Sequence, residues 1–174
     1  LHVRGRRQRQ MGIRDSYDHV GGNEELKKKY KSTVIGFEND KNRIPGIDKT
    51  LKDNQNFKIG TLNFNTIFIP GHTKGHIAFY FKKEKTIFTG DTLFSLGCGR
   101  LFEGTYDQMF QSLKKIKNLP NDTKVYCGHE YTYKNLEFCL TFNPNNKFLK
   151  KKKNEIELNL KNKKPTIPST IADE

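Results

Sequence analysis

The chain has 174 residues, of which 33% are hydrophobic and 29% charged, so it is long enough for one domain with a core. Lysine and arginine total 32 against 19 acidic residues, which gives a net charge of +13. No apolar run approaches the ~20 residues that a membrane span needs, and three cysteines without a CxxC pair argue against a disulfide framework and for reduced intracellular thiols.

Two short segments contain clusters of basic residues, "LHVRGRRQRQMGIR" at the start of the chain and "KFLKKKK" at 147–153. The other lysines are scattered among asparagines, without the clustering on one face that nucleic-acid-binding proteins show. We therefore predict no nucleic-acid and no membrane partner, and a basic surface that attracts an anionic small molecule. The predicted location is cytoplasmic, with an organelle as the alternative.

Residues 1–14 are basic and no apolar segment follows them, so they do not resemble a secretory signal. We expect this segment to lie outside the native fold, as a targeting remnant, a cloning scar or a poorly ordered tail. After it, "GGNEELKKKYK" predicts a helix that begins near Asn23, because acidic residues come first and lysines follow. "STVIGF" predicts a short strand, and the proline and glycine of "NDKNRIPGIDKT" predict a loop.

Three strand-like segments follow, with the sequences "NFKIG", "LNFNTIFIP" and "HIAFYFKKEKTIFTGD". The second places Leu62, Phe64, Thr66 and Phe68 on one face, which is the two-residue period of a strand. The third is expected to turn at "KKEK" and to form a hairpin, so the middle of the chain is predicted to be rich in antiparallel sheet.

In the second half, "TYDQMFQSLKKIKNL" predicts an amphipathic helix whose apolar stripe contains Met109, Phe110, Leu113 and Ile116. "TKVYCGH" predicts a strand, whereas "YTYKNLEFCLTF" and "KFLKKKKNEIELNLKN" predict helices and "KPTIPSTIADE" predicts an extended segment. Strands, hairpins and helices are thus mixed along the chain, which indicates an α+β fold in which sheets and helices form a sandwich.

The residues that carry chemistry are histidines and acids placed in loops or at strand ends. They occur in "DHVGG", "PGHTKGHI", "IFTGDT" and "VYCGHEYT". Nitrogen and oxygen donors of this kind suit zinc, iron or manganese, and a bound metal lowers the pKa of its water to roughly 7. The candidate residues are Asp18, His19, His72, His76, Asp91 and His129.

The order of these motifs resembles the metallo-β-lactamase superfamily and, within it, the glyoxalase II (hydroxyacylglutathione hydrolase) family. The matching stretches are "DHVGGN", "PGHTKGHI", "FTGDTLFSLGCGRLFEGT", "VYCGHEYTYKNLEF" and the ending "PTIPSTIADE", so the resemblance covers nearly everything from Asp18 onward. It implies an αββα sandwich of the metallo-β-lactamase type, here without the family's N-terminal strands. It also implies a metallo-β-lactamase-like domain at 15–142 and, at 143–174, the start of a truncated C-terminal helical substrate-binding region.

Position by position, the resemblance implies that Asp18, His19 and His129 hold one metal ion. It implies that His76 belongs to a second ion and that Asp91 bridges both. The metal would be zinc, as one or two ions, with iron or manganese as alternatives. Asp18 would also be the catalytic residue that orients the attacking hydroxide and accepts its proton.

The resemblance gives His72 the role of a hydrogen-bonded turn residue and assigns three substrate-binding positions. Arg100 stands where the family usually has a lysine that contacts glutathione. Phe102 stands where the family usually has a tyrosine, so a hydroxyl contact would be lost. Tyr131 matches a tyrosine near the cysteinyl part of glutathione.

Two features depart from the family pattern. The family loop reads T-H-x-H-x-D-H, whereas Arg14 and Ser16 occupy the positions of its two leading histidines. Arginine stays protonated and cannot ligate a cation, so the second site would keep only His76 and Asp91. The strands that precede this loop in the family have no counterpart here, which suggests a truncated or misassembled product whose family sequence begins near Asp18.

The implied function is hydrolysis of the thioester of an S-(2-hydroxyacyl)glutathione, such as S-D-lactoylglutathione, to glutathione and D-lactate, in methylglyoxal detoxification. Two alternatives stay open. One is a persulfide dioxygenase-like relative, whose single iron would need the two missing histidines. The other is an inactive pseudo-enzyme or fragment whose basic patches bind an acidic partner.

Overall fold

The computed structural model describes residues 10–12 and 17–174, with side chains from His19 onward. The strands are β1 (Gln10–Gly12), β2 (Thr33–Phe37), β3 (Lys49–Leu51), β4 (Asn56–Ile59), β5 (Leu62–Phe68), β6 (Ile77–Phe81), β7 (Thr86–Gly90), β8 (Leu93–Phe94), β9 (Gly97–Cys98), β10 (Lys124–Cys127) and β11 (Ser169–Thr170). The helices are α1 (Tyr17–Val20), α2 (Asn23–Tyr30), α3 (Tyr106–Lys117), α4 (Thr132–Phe142) and α5 (Lys147–Lys161), with 3₁₀ turns at Glu38–Asp40 and Ile171–Asp173. Within this described part, no helix combines the length and the apolar composition that crossing a bilayer requires.

The strands form a six-stranded sheet, a three-stranded sheet and a small hairpin of β8 and β9. The large sheet has the order β11-β10-β7-β6-β5-β4, in which β4 to β7 are antiparallel neighbours and β7 and β10 run parallel. The predicted hairpin at "KKEK" is confirmed, because residues 82–85 form the turn between β6 and β7. The small sheet, β1-β2-β3, is parallel throughout.

Apolar side chains join the layers of the molecule, and their arrangement agrees with the predicted α+β sandwich. Ile116 of α3 packs on one face of the large sheet. On the other face, Phe64 of β5 packs with Leu51 of β3, so the two sheets lie against each other. Val20 of α1 packs with Val34 of β2 and covers the small sheet. Burying one side chain of this size contributes about 1.5 to 3 kcal/mol, which is what holds these layers together.

Helix α3 begins with a capping box between Thr105 and Gln108, whose side chains each accept a hydrogen bond from the other residue's backbone N–H. Met109 and Ser112, three residues apart, face the sheet and are buried. Phe110 is 64% exposed, so the predicted apolar stripe is wrong at this position. One residue rotates the helix by about 100°, which turns Phe110 away from the face that Met109 occupies.

The ion pair of Lys27 and Asp48 ties α2 to the segment before β3. The Lys27 ammonium donates to the Asp48 carboxylate at 2.6 Å, and the backbone N–H of Val34 donates to it at 2.9 Å. These hydrogen bonds, the one from Lys27 foremost, lower the pKa of Asp48 below its ordinary value of 3.8. Because the folded-state pKa is the lower one, the stabilisation is present above 3.8 and is lost as the pH falls through the folded-state value.

The substitution Asp48→Asn is therefore expected to lower the free energy of unfolding at neutral pH. The loss should be below about 1 kcal/mol, because roughly a third of each side chain is exposed and solvent screens the pair. Urea unfolding of the parent and the variant across a pH series measures it, and the gap should narrow as the pH falls below 3.8. A difference in free energy of unfolding between parent and variant that stays constant over the whole pH series would contradict the lowered pKa of Asp48.

Candidate metal centre

The candidate ligands come from segments that meet at one edge of the large sheet. β7 and β10 are parallel neighbours, so Asp91, which follows β7, and His129, which follows β10, leave the sheet at the same edge. His72 and His76 lie between β5 and β6, and the antiparallel order of β5, β6 and β7 brings that connection to the same edge. His19 reaches the edge from α1. The topology therefore gathers side chains that are far apart in the sequence.

Three donor atoms lie close together, namely Nε2 of His19, Nε2 of His129 and Oδ2 of Asp91. The two imidazole nitrogens are 3.1 Å apart, and the carboxylate oxygen is 3.2 Å from that of His19 and 3.4 Å from that of His129. Ligand atoms about 2.1 Å from a tetrahedral zinc ion stand about 3.4 Å from one another, so the spacing and the donor types fit this metal. These three residues could therefore hold one metal ion.

The backbone of Asp91 is held by His76. The N–H of Asp91 donates to Nε2 of His76 at 3.2 Å, and Oγ1 of Thr73 lies 3.3 Å from Nδ1 of the same ring. Both His76 and Asp91 are buried. Since Nε2 of His76 meets the main chain of Asp91, this contact positions the carboxylate. The assignment of His76 to a metal ion stays a prediction, and this geometry does not favour it.

The structure also brings His72 beside the carboxylate of Asp91. Nδ1 of His72 lies 2.8 Å from the carbonyl oxygen of Arg100. Because a carbonyl oxygen only accepts, Nδ1 carries the proton of the neutral ring and Nε2 carries the lone pair. Nε2 lies 3.5 Å from Oδ2 of Asp91. Metal-binding histidines are commonly held in this way, with one ring nitrogen on a backbone carbonyl and the other directed at the cation.

Three residues of the predicted site lie outside the described side chains. Arg14 and Ser16 belong to the part of the chain that the structure does not describe, and Asp18 is described only through its backbone, in α1. The predicted roles of Asp18 as metal ligand and catalytic residue therefore stay predictions. The same holds for the effect of replacing the two leading histidines of the family loop.

The three predicted substrate-binding residues border the centre. The ring of Tyr131 stacks on that of His129, with 5.0 Å between centroids and 10° between planes. The ring of Phe102 lies 4.9 Å from that of His72. Arg100 is exposed, and its carbonyl is the one that holds His72. The site therefore has an aromatic rim, while the contacts of these three residues with a substrate stay predictions.

Sequence reasoning missed two further residues of the site. Phe94 is buried, and its ring packs on those of Tyr131 and His129 at centroid distances of 5.2 and 6.2 Å. Gly99 passes so close to Asp91 that a Cβ would stand 1.8 Å from the Asp91 carbonyl oxygen. The glycines of "GCGR" are a sequence signal for such a close approach, whereas nothing in the sequence indicates the contacts of Phe94.

The cysteines near the centre are poor candidates for a nucleophile. Cys98, Cys127 and Cys139 are free thiols. Burial raises the pKa of the Cys98 and Cys127 thiols, so both stay protonated at neutral pH. The Cys127 thiol donates to the carbonyl oxygen of His129 at 3.2 Å, which gives it a packing role behind that candidate ligand.

Comparison with known proteins agrees with this geometry. The profile of the metallo-beta-lactamase superfamily matches residues 17–129, and that of the hydroxyacylglutathione hydrolase C-terminus matches residues 130–174. The chain is 55% identical over 158 residues to the hydroxyacylglutathione hydrolase of Pelagibacter ubique, an alignment that covers 91% of this chain and 66% of the relative. It is 46% identical over 157 residues to that of Methylococcus capsulatus, covering 90% of this chain and 61% of the relative.

A solved structure, TTHA1623 in a di-iron-bound form, superposes with a TM-score of 0.58 and 27% identity over 67% of each chain. The present chain spans 61 to 66% of the length of the two hydrolases above. The superfamily implies a metal, and the His19, Asp91 and His129 donors provide a site for one. The predicted resemblance is confirmed: the chain belongs to the metallo-β-lactamase superfamily and, within it, to the hydroxyacylglutathione hydrolase (glyoxalase II) family.

Proposed function

We propose that the protein is a metal-dependent thioester hydrolase that cleaves S-(2-hydroxyacyl)glutathione, such as S-D-lactoylglutathione, to glutathione and a 2-hydroxy acid. The observation that carries the proposal is the cluster of three donor atoms of His19, Asp91 and His129, within 3.4 Å of one another at the sheet edge. The high identity to proteins named hydroxyacylglutathione hydrolase supports the choice of substrate.

We propose zinc as the metal, because two imidazole nitrogens and one carboxylate oxygen suit it; iron is the alternative, supported by the di-iron-bound structural relative. When bound, such a metal supplies Lewis acidity and lowers the pKa of water to roughly 7. Asp18 would complete the ligand set of His19 and His129. For a second metal ion, His72 is a better candidate ligand than His76. Nε2 of His72 lies beside the carboxylate of Asp91, whereas Nε2 of His76 accepts a hydrogen bond from the Asp91 backbone N–H.

The reaction adds the oxygen of water to the thioester carbonyl carbon and breaks the carbon–sulfur bond. The acid keeps the new oxygen, and the sulfur leaves as a thiolate that takes up one proton to become the thiol of glutathione, so no oxidant or reductant is needed. Asp18 would accept the proton of the attacking water. Arg100 would attract the carboxylates of glutathione, since a guanidinium matches a carboxylate in charge and in geometry. Tyr131 and Phe102 would offer aromatic surface to the acyl and cysteinyl parts.

The experiment is the hydrolysis of S-D-lactoylglutathione by the chain supplied with zinc, followed through the loss of thioester absorbance. His129→Ala removes one donor and should abolish turnover, and a chelator should do the same to the parent. Turnover that survives both treatments would refute the metal-dependent reaction. A folded parent that binds zinc but shows no turnover would instead support the pseudo-enzyme alternative.

A further inference from the structure

Glu103 belongs to the motif "RLFEGT", whose Arg100 and Phe102 border the centre, but the proposed reaction gives Glu103 no role. Its carboxylate joins two distant parts of the chain. Nη1 and Nη2 of Arg43 donate to Oε2 at 3.0 Å and to Oε1 at 2.6 Å. The backbone N–H of Lys74 donates to Oε2 at 2.9 Å. Glu103 therefore connects its own loop to the β2–β3 connection and to the turn between His72 and His76.

Two of the segments that Glu103 connects also orient His72, namely the loop between His72 and His76 and the loop that contains Glu103 itself. Lys74 lies two residues after His72 in one loop, and the Arg100 carbonyl that accepts from Nδ1 of His72 lies in the other. A main-chain hydrogen bond runs between the same loops, from the N–H of Phe102 to the carbonyl of His72, at 3.1 Å. The Glu103 carboxylate and this main-chain hydrogen bond thus both hold His72 near the carbonyl that sets its tautomer.

Arg43 is itself anchored beside this turn. Its Nη1 also donates to Oδ1 of the buried Asp40 at 3.2 Å. Asp40 packs directly on the turn, because a Cβ on Gly75 would stand 1.6 Å from Oδ2 of Asp40. The pair of Arg43 and Glu103 is 39% and 30% exposed, and solvent screens a pair of this kind, so it adds little to global stability. Its effect is expected in the geometry of the centre.

We propose that Glu103, held by Arg43, is a positioning residue for His72 and thereby sets the metal affinity of the centre. The proposal rests on the metal-binding part of the proposed function, and it goes beyond it because it assigns a role to the ion pairs beside the His72–His76 turn. Partners of metal-binding histidines commonly change metal affinity by about 10- to 100-fold when they are removed.

The test compares the parent with Glu103→Gln, which keeps the size of the side chain but removes its charge and one acceptor oxygen. We expect faster hydrogen exchange at the Lys74 amide and a zinc dissociation constant about tenfold or more higher in competition with a chromophoric chelator. The thermal midpoint of the metal-free protein should change little. Arg43→Lys keeps the charge but loses the bidentate hydrogen bond to Glu103. It should shift the exchange rate of the Lys74 amide and the zinc dissociation constant in the same direction.

The matched control is Glu84→Gln, since Glu84 is exposed in the turn between β6 and β7, at the opposite edge of the sheet. It should leave both readouts unchanged. Zinc affinity within twofold of the parent in Glu103→Gln and Arg43→Lys would overturn the proposal, as would a lower thermal midpoint with unaltered affinity. If the parent binds zinc without hydrolysing the thioester, the proposed reaction fails while these two readouts still test the role of Glu103.

Discussion

Asp91→Asn is expected to abolish zinc binding at the candidate centre and to reduce thioester turnover by about a thousandfold or more, equivalent to about 4 kcal/mol of transition-state stabilisation. Oδ2 of Asp91 lies between 3.2 and 3.5 Å from the Nε2 atoms of His19, His129 and His72. An asparagine keeps the shape of the side chain but removes its negative charge. It also replaces one of the two carboxylate oxygens by an amide nitrogen, which cannot ligate a cation.

The direct measurement is the rise of the thermal midpoint on addition of zinc, because a ligand that binds only the folded state stabilises it. The parent should show this rise and Asp91→Asn should not. Asp107→Asn is the matched control, since Asp107 is exposed in the first turn of α3, and it should behave like the parent. Zinc-dependent stabilisation that persists in Asp91→Asn would place the metal elsewhere.

Gly99→Ala is expected to lower the free energy of unfolding by about 2 to 3 kcal/mol and to weaken metal binding at the same time. The added Cβ would stand 1.8 Å from the carbonyl oxygen of Asp91 and 3.1 Å from Nδ1 of His72. The first of these atoms belongs to the main chain between β7 and β8 and cannot rotate away as a flexible side chain would. Relieving this clash therefore requires a shift of the main chain that carries Asp91.

Gly22→Ala provides the comparison for this substitution. A Cβ on Gly22 would meet Cδ1 of Leu26 at 3.5 Å, an ordinary contact, so the variant should unfold close to the parent. Guanidinium unfolding of both variants, followed by zinc titration, separates the two expected effects. If Gly99→Ala matched Gly22→Ala in stability and in affinity, the close approach of the "GCGR" loop to Asp91 would be wrong.

Much of the fold follows from local sequence signals. The start of α3 is set by the Thr105 and Gln108 capping box, and the β6–β7 hairpin by polar residues between two apolar runs. These features depend on near neighbours, so their residue types indicate them directly. The histidine- and aspartate-containing motifs were also sufficient to predict the family. The exposure of Phe110 does not follow from such signals, because it depends on which side of α3 meets the sheet.

The details of the site could not be read in the same way. His72 and His76 share one turn, and which ring nitrogen faces Asp91 depends on the Arg100 carbonyl, which is 28 residues from His72. A contact over that distance is set by the packing of two loops and not by their residue types. The contacts of Glu103 with Arg43 are of the same kind. The predicted cytoplasmic location stays a prediction.

The separation of the candidate ligands along the chain has a consequence for folding. His19 is 72 residues from Asp91 and 110 residues from His129, and the three come from different elements. A bound ion would therefore act as a cross-link that closes two long loops, present only when the chain is folded. Free metal at a thousand times its dissociation constant would add about 4 kcal/mol of stability, which is a large part of the total for a domain. The lifetime of this protein in a cell is thus expected to rise and fall with the supply of the metal.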